Sequence, residues 1–191
     1  MPAKIFISYS HKDEKFKQSL EEHISGLRRS GLITAWSDRM IQPGHNWANE
    51  ISGNLETANI IIFLISASFL NSDYCMNIEA NTAIGMHKQG RAILIPIVVR
   101  PCAWGDSELS RIQGLPTDAQ PITSWANEDE AWVDVVQGLQ KAISRLDELS
   151  VSHPSASLPH ISLSTLKWLD DTEITLSHRR VNKISLKDIY V

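Results

Sequence analysis

The chain has 191 residues, of which 42% are hydrophobic and 21% are charged, and its net charge is −4 at pH 7. This composition is typical of a globular domain with some additional chain, and the slightly acidic balance argues against a nucleic-acid-binding surface. No apolar run approaches the roughly 18 residues that a membrane helix needs, and the N-terminus has no signal-peptide layout, so no membrane is expected as a partner.

The first third of the chain predicts two strands and two helices. KIFISYS (4–10) is a short apolar run typical of a buried strand. Over residues 11–31, apolar side chains recur at helical spacing and a glycine marks the end. LITAWSD (32–38) indicates a second strand, and a Pro-Gly pair indicates a loop over 39–47. A short amphipathic helix is expected next, over residues 47–58.

The middle of the chain predicts two more buried strands around one helix. ANIIIFLIS (58–66) is almost wholly apolar, as a parallel strand is when both of its faces are covered. A helix is expected from Ser72 or Asp73 until Gly90, with a polar cap at its start and a glycine at its end. RAILIPIVV (91–99) indicates the fourth strand.

The last elements are less regular. Residues 101–119 form a long connection with little periodicity, QPITSW (120–125) predicts a fifth, shorter strand, and residues 128–146 predict an amphipathic helix. Near residue 148 the chain becomes rich in Ser and Pro, as a linker is. We therefore expect one domain over residues 1–147, followed over 148–191 by a linker and the start of a truncated downstream region.

Five strands alternate with helices, and no hairpin signal separates them. This pattern favours a three-layer α/β fold with a flavodoxin-like five-stranded parallel sheet, in the order 2-1-3-4-5, flanked by helices. Ligands of such sheets bind beyond the carboxyl ends of the strands, near the switch point between strands one and three. The segments expected at that edge are SYSHKD (8–13), DRMIQPGHNW (38–47) and SASFLNSDYC (66–75).

The cysteine and histidine patterns indicate neither a metal site nor a disulfide framework. Cys75 and Cys102 are the only cysteines, and the seven histidines include no HExxH arrangement. Free cysteines are typical of a reducing compartment, so a cytoplasmic protein is expected. No GxGxxG fingerprint and no P-loop occurs either.

In this order, the segments resemble those of a TIR domain, the Toll/interleukin-receptor/resistance-protein module, of the prokaryotic NAD⁺-cleaving type. The resemblance covers residues 3–146, and we therefore assign residues 1–147 to a TIR domain. The motifs that carry the resemblance are KIFISYSHKDE (4–14), WSDRMIQPGHNW (36–47), ANIIIFLISASFLNSDYCMNIE (58–79), ILIPIVV (93–99) and LPTDAQPITSW (115–125).

The resemblance implies two alternative functions. Some TIR domains are non-enzymatic adaptors that only associate with other TIR domains. Others cleave NAD⁺ at the nicotinamide–ribose bond, in bacterial defence or signalling, and leave ADP-ribose or a cyclic isomer. In those enzymes a glutamate at the position of Glu79 is catalytic, so we predict an NAD⁺ nucleosidase. NAD⁺ is then a substrate and no cofactor is expected.

The chemistry of this reaction is compatible with one carboxylate. Nicotinamide leaves as a neutral molecule and needs little protonation, and the difficult species is the electron-poor ribose carbon, an oxocarbenium-like centre. A nearby carboxylate stabilises that positive charge. The alternative for Glu79 is an ordinary surface acid near a helix start, where the positive end of the helix dipole stabilises it.

The substrate-binding residues are predicted from the same edge of the sheet. An aromatic ring such as Trp47 can stack on the cationic nicotinamide, although it can equally be the apolar anchor of the next helix. Cys75 is a candidate wall residue, and small-residue packing is its alternative role. The predicted substrate-binding set is Ser8, Tyr9, Ser10, His11, Asp38, Arg39, Trp47 and Cys75.

Self-association is expected in both functional classes. The resemblance implies that family enzymes become active when their domains stack, because the loop over residues 36–47 helps to complete the site of a neighbouring domain. The expected partners are therefore NAD⁺ and other TIR domains. A phosphoacceptor receiver domain is disfavoured, because strands one and three end in serines, whereas a receiver needs acids there.

Overall fold

Four parallel strands form the centre of the fold, in the order β2-β1-β3-β4. The computed structural model describes residues 1–37, 47–72 and 75–152, all of which belong to one compact unit, Met1–Pro154. The strands are β1 (Ala3–Ser8), β2 (Ile33–Trp36), β3 (Ile60–Ile65) and β4 (Ile93–Val98). The predicted α/β fold with a parallel sheet is confirmed.

Helices cover both faces of this sheet. They are α1 (Glu14–His23), α2 (Ser25–Arg29), α3 (Trp47–Glu56), α4 (Ala67–Leu70), α5 (Asn81–Lys88) and α6 (Glu128–Ser152). One apolar cluster joins α1, α2 and α6 to the sheet, and a second joins α3, α4 and α5 to its other face. Every residue of β3 is buried, as expected for a strand covered on both faces.

The alternation of side chains along β1 places its residues in the two clusters in turn. Ile5 and Ile7 pack in the α1–α6 cluster, whereas Phe6 packs in the α3–α5 cluster, where its ring stacks on Trp36 at a centroid distance of 5.3 Å. Trp36 is therefore a packing residue, as its place inside a strand indicates. Ser8, the last residue of β1, lies on the same side of the strand as Phe6.

The first predicted helix is present but interrupted. Its apolar stripe is buried as predicted, and Gly31 ends it with a φ of +72°. The helix breaks at Ile24, between α1 and α2, and it is preceded by a 3₁₀ turn over His11–Asp13.

The predicted fifth strand is wrong for the part of the chain that the structure describes. Residues 120–125 contain a 3₁₀ turn, Ile122–Ser124, and the outer edge of β4 carries a single parallel bridge, between Ile97 and Leu115. Leu115 receives the Val98 N–H at 2.9 Å and donates to the Pro96 carbonyl at 2.8 Å. Within the predicted segment, the Thr123 N–H donates to the Val99 carbonyl at 3.3 Å, just beyond the end of β4.

Two helices differ from the prediction at their ends. The helix expected from Ser72 begins as a π-helical turn, Cys75–Ala80, and continues as α5 to Lys88. α6 extends to Ser152, so residues 148–152, which were predicted to begin the linker, are helical. The domain boundary itself stays a prediction. Within the described ranges, no helix has both the length and the apolar character needed to cross a membrane.

Candidate functional site

A cavity of about 350 Å³ opens at the carboxyl end of β1. This is the switch point of the sheet, since β2 and β3 lie on opposite sides of β1. The chain continues from β1 into α1 on one face of the sheet and from β3 into α4 and α5 on the other. Its volume lies within the usual range of small-molecule sites, roughly 300–1,000 Å³. The residues that line it are Phe6, Ile7, Ser8, Tyr9, Ser10, His11, Lys12, Ile51, Ser72, Cys75 and Glu79.

Six of the nine predicted site residues lie together in this cavity. They are Glu79, Ser8, Tyr9, Ser10, His11 and Cys75. The roles that the sequence assigned to them stay predictions. Asp38 and Arg39 fall outside the described residues. Trp47 begins α3, and its side chain also falls outside what the structure describes, but Ile51, one turn later, is buried and lines the cavity.

The carboxylate of Glu79 is buried in the cavity. Glu79 is only 4% exposed, and its Oε2 atom accepts a hydrogen bond from the Ser8 hydroxyl, which is also buried. A plain surface position for this acid is therefore wrong. Burying a carboxylate is costly unless polar groups compensate it, and the Ser8 hydroxyl supplies such a group from the end of β1.

The π-helical turn carries two of the residues that line the cavity. Cys75 and Glu79 lie four positions apart within Cys75–Ala80. The wide i→i+5 pattern of a π turn accommodates one residue more than an α turn, and such turns occur frequently at functional sites. Ala80 and Ala83 then pack into the sheet-facing core, so the segment is fixed from behind.

Tyr9 lines the cavity where the chain leaves β1, and its side chain packs in the α1–α6 cluster. The residue is 6% exposed, and the hydroxyl donates to Glu14 Oε2 at 2.7 Å. Lys17 lies 3.9 Å from the other Glu14 carboxylate oxygen. The Tyr9 ring also lies beside His11, with ring centroids 6.0 Å apart.

The connection from β1 to α1 forms the mouth of the cavity. The Asp13 N–H donates to the Ser10 carbonyl at 2.7 Å and closes the 3₁₀ turn. His11 and Lys12 are exposed and line the opening. Lys12 is absent from the predicted substrate-binding set, and its position directly after the first strand is the signal that would have placed it here.

Cys75 packs beneath Tyr9. Its thiol is buried and lies 4.0 Å from the Tyr9 carbonyl oxygen, within the limit for a sulfur hydrogen bond. This contact fits the predicted small packing residue and also makes the thiol part of the cavity wall. Both cysteines are free thiols.

The sequence pattern missed a polar network beside the cavity. Asp13 is completely buried, and its Oδ1 atom accepts N–H groups of Arg100 at 2.7 and 3.0 Å. Its Oδ2 atom accepts the Ser66 hydroxyl at 2.5 Å, and Ser66 in turn caps α4 by accepting the Phe69 N–H at 3.0 Å. Arg100 follows β4 and Ser66 follows β3, so their positions at strand ends were the available signal.

Cys102 lies near this network. Burial raises the pKa of its thiol above the ordinary value of 9.0, the Arg100 charge lowers it, and the Asp13 charge raises it further. No group of three metal-binding side chains occurs in residues 1–37, 47–72 and 75–152. That no metal is used remains an expectation.

The chain was compared with known proteins. A family model described as "TIR domain" matches residues 5–146. A protein of Sinorhizobium fredii (strain NBRC 101917 / NGR234), called "Uncharacterized protein y4lF", is 38% identical over 155 residues, which is 81% of this chain. The chain spans about half of that relative, 48% of its length.

Two solved structures have the same fold. The TIR domain of the Toll-related receptor TRR-2 from Hydra magnipapillata superposes with a TM-score of 0.50 and 21% identity, over 71% of this chain and 97% of that one. The TIR domains of the activated Roq1 resistosome, which recognises the pathogen effector XopQ, superpose with a TM-score of 0.56 and 12% identity. This match covers 72% of this chain and 99% of that one. At these identities the likeness concerns the fold alone.

Proposed function

Because the chain belongs to the TIR domain family, we propose that it is an NAD⁺ glycohydrolase, with or without cyclase activity, that acts in bacterial defence or signalling. TIR domains include NAD⁺-cleaving enzymes as well as adaptors. The observation that carries the enzyme proposal is a buried carboxylate, Glu79, in a cavity at the switch point of the sheet. An adaptor has no chemical need for a carboxylate there.

In the proposed reaction, the bond between nicotinamide and the ribose C1′ atom breaks and its electron pair leaves with the nicotinamide nitrogen. Nicotinamide is thus released neutral, and positive charge develops on the sugar. The carboxylate of Glu79 stabilises that charge, and a water molecule then adds to C1′ and loses a proton, which gives ADP-ribose. An internal nucleophile of the same molecule gives a cyclic product instead.

The remaining cavity residues have roles that follow from their chemistry. The Ser8 hydroxyl orients the Glu79 carboxylate. Apolar side chains, among them Phe6 and Ile51, provide the dry walls that an aromatic ring needs. His11 and Lys12 at the opening can attract the negatively charged pyrophosphate.

NAD⁺ is the proposed substrate and other TIR domains are the proposed partners, in the cytoplasm. The predicted loop residues Asp38, Arg39 and Trp47 belong to this proposal through the family resemblance. We propose that stacking of domains activates the enzyme, so its rate depends on protein concentration.

The test compares three proteins at high concentration, or clustered on a multivalent scaffold. Wild type, Glu79→Gln and the control Glu56→Gln, which changes an exposed glutamate of α3, are incubated with NAD⁺, and nicotinamide release is followed by chromatography. We expect release by wild type and the control, and a loss of at least about 100-fold in Glu79→Gln, in the range of other losses of charge-stabilising groups. A clustered wild type that never releases nicotinamide would favour the adaptor function.

A further inference from the structure

The buried Asp13 carboxylate and its partner Arg100 connect the two segments that supply walls of the cavity. One wall is the connection after β1, which contains Tyr9, Ser10, His11 and Lys12. The other begins at Ser66, continues through α4, and reaches Ser72, Cys75 and Glu79. Asp13 does not line the cavity itself, but its two carboxylate oxygens bind groups that belong to different segments of the chain.

The hydrogen bonds of Asp13 connect segments that follow three different strands. Asp13 closes the turn after β1 through its own N–H, which donates to Ser10. Its Oδ2 atom binds the hydroxyl of Ser66, which follows β3, and that hydroxyl also caps α4. Its Oδ1 atom binds Arg100, which follows β4, and the same guanidinium donates to Ser68 of α4 at 3.0 Å. One carboxylate therefore joins the ends of three strands.

Because the Asp13 carboxylate is buried, its stability in the fold depends on keeping its partners. Asp13 is fully buried, whereas the Arg100 side chain is partly exposed. A buried charge that loses its partner is strongly unfavourable, whereas a neutral side chain of the same size has a much smaller cost. Hydrogen bonds of charged groups are also the stronger ones, and the 2.7 Å distance from Arg100 to Asp13 fits that class.

We propose that Asp13, held by Arg100 and Ser66, is a positioning residue of the candidate site. It keeps the Tyr9–Lys12 wall against the segment that carries Cys75 and Glu79, and it acts on the reaction through that wall without touching the substrate. The link to the reaction rests on the proposed NAD⁺ hydrolysis, but the effect on the cavity wall does not.

The thiol of Cys75 offers a readout that does not need activity. It is buried beneath the Tyr9 carbonyl, so it becomes accessible when the two walls separate. The test measures alkylation of Cys75 by iodoacetamide under native conditions in wild type and Asp13→Asn, with peptide mass spectrometry to separate Cys75 from Cys102. Amide hydrogen exchange in α6 reports global opening in the same samples.

We expect Cys75 to react about tenfold faster in Asp13→Asn, with unchanged exchange in α6. Ser66→Ala, which removes one arm and keeps the Asp13–Arg100 pair, is expected to give about a threefold increase and serves if Asp13→Asn does not fold. The control Glu108→Gln removes the exposed ion pair with Lys88 and should leave the rate unchanged. Unaltered Cys75 protection in the folded variants overturns the proposal.

Kinetics separate this inference from the proposed function. If wild type releases nicotinamide, kcat/KM of Asp13→Asn should fall about tenfold, and the double variant Asp13→Asn/Arg100→Gln should be no worse than Arg100→Gln alone, because the buried charge is then absent. Unchanged kcat/KM beside faster Cys75 alkylation overturns the link to the site. If wild type is inactive, the proposed function fails and Cys75 protection alone decides whether Asp13 holds the wall.

Discussion

Ser8 donates a hydrogen bond to the Glu79 carboxylate, although the two residues are separated by 71 positions in the sequence. The bond joins the last residue of β1 to the π-helical turn after β3 and α4, and both side chains are buried. The orientation of the carboxylate in the cavity is thus fixed by the end of a buried central strand.

Replacing Ser8 by Ala removes this bond and leaves the carboxylate with one partner fewer. A hydrogen bond to a charged group contributes roughly 1.5–3 kcal/mol, so we expect nicotinamide release to fall by about tenfold or more when the bond serves the reaction. Ser8→Thr keeps the hydroxyl and should retain most of the rate. The measurement is kcat/KM on clustered protein, with unfolding midpoints measured beside it. Equal rates for Ser8→Ala and wild type would show that the Ser8–Glu79 hydrogen bond does not contribute to the reaction.

The bond from Tyr9 to Glu14 holds a ring that packs in the α1–α6 cluster, directly behind the cavity-lining connection after β1. Tyr9→Phe keeps the ring but removes the hydroxyl, so we expect a loss of about 0.5–1.5 kcal/mol in the free energy of unfolding and a KM within a few-fold of wild type. Tyr9→Ala removes the ring that anchors this connection, and it should raise KM for NAD⁺ by about tenfold or more because the lining of the cavity is then less well held. Chemical denaturation and steady-state kinetics test both effects. A KM for Tyr9→Ala equal to that of Tyr9→Phe would exclude the ring from the site.

A matched pair of glycine substitutions tests the packing of α6 on the edge of the sheet. A Cβ atom at Gly138 would lie 2.6 Å from Leu115 Cδ1, whereas at Gly53, in α3, it would meet no atom within 4 Å. Gly53→Ala should raise the free energy of unfolding by about 0.5–1 kcal/mol, because alanine favours the helix. Gly138→Ala should lower it by about 1–2 kcal/mol, because overpacking exceeds that gain. Denaturant titration measures both, and stabilisation by Gly138→Ala would contradict the close packing.

Cys102 should make the stability of the fold depend on pH in the alkaline range. Burial raises the pKa of its thiol above 9.0 in the folded state, so the folded state holds the proton more tightly. The stabilisation is fully present below pH 9.0 and is lost as the pH rises through the folded pKa. We expect the loss of stability above pH 9 to be smaller in Cys102→Ser than in wild type, as measured by unfolding at a series of pH values.

A separate alkylation experiment tests the effect of Arg100 on the Cys102 thiol. Arg100→Gln should raise the pH midpoint of Cys102 alkylation, because the Arg100 charge opposes the rise in pKa that burial causes. The rate of reaction with iodoacetamide at increasing pH gives that midpoint. A midpoint that falls in Arg100→Gln would reverse the assigned sign of this interaction.

The core and the sheet order follow from patterns that are visible in the sequence. The apolar run that became β3 and the helical spacing of Phe16 and Leu20 predicted buried positions, because period and burial are linked directly. The fifth strand was mispredicted because residues 120–125 bond locally: the Ser124 N–H donates to Pro121 and the Trp125 N–H to Ile122. The residue types of a short segment show its propensity for a strand, but not whether the surrounding fold favours a turn there.

Only the part of the site that the order of the strands determines was predicted from the sequence. Residues directly after β1 and before α5 meet at the switch point whatever their identity, so Ser10 and Glu79 were brought together as expected. The pairing of Asp13 with Arg100 joins side chains 87 positions apart, and no local spacing reports it. The π-helical turn was missed too, because Cys75 and Glu79 lie four positions apart, a spacing that an α-helix also brings to one face.

The π-helical turn also bears on how related sequences are compared. An α-helix advances about 100° per residue, so deleting one residue between Cys75 and Glu79 should rotate that carboxylate away from the cavity while the two glutamates still align. We therefore expect the length of this segment, together with the glutamate, to mark the relatives that keep an acid in the cavity.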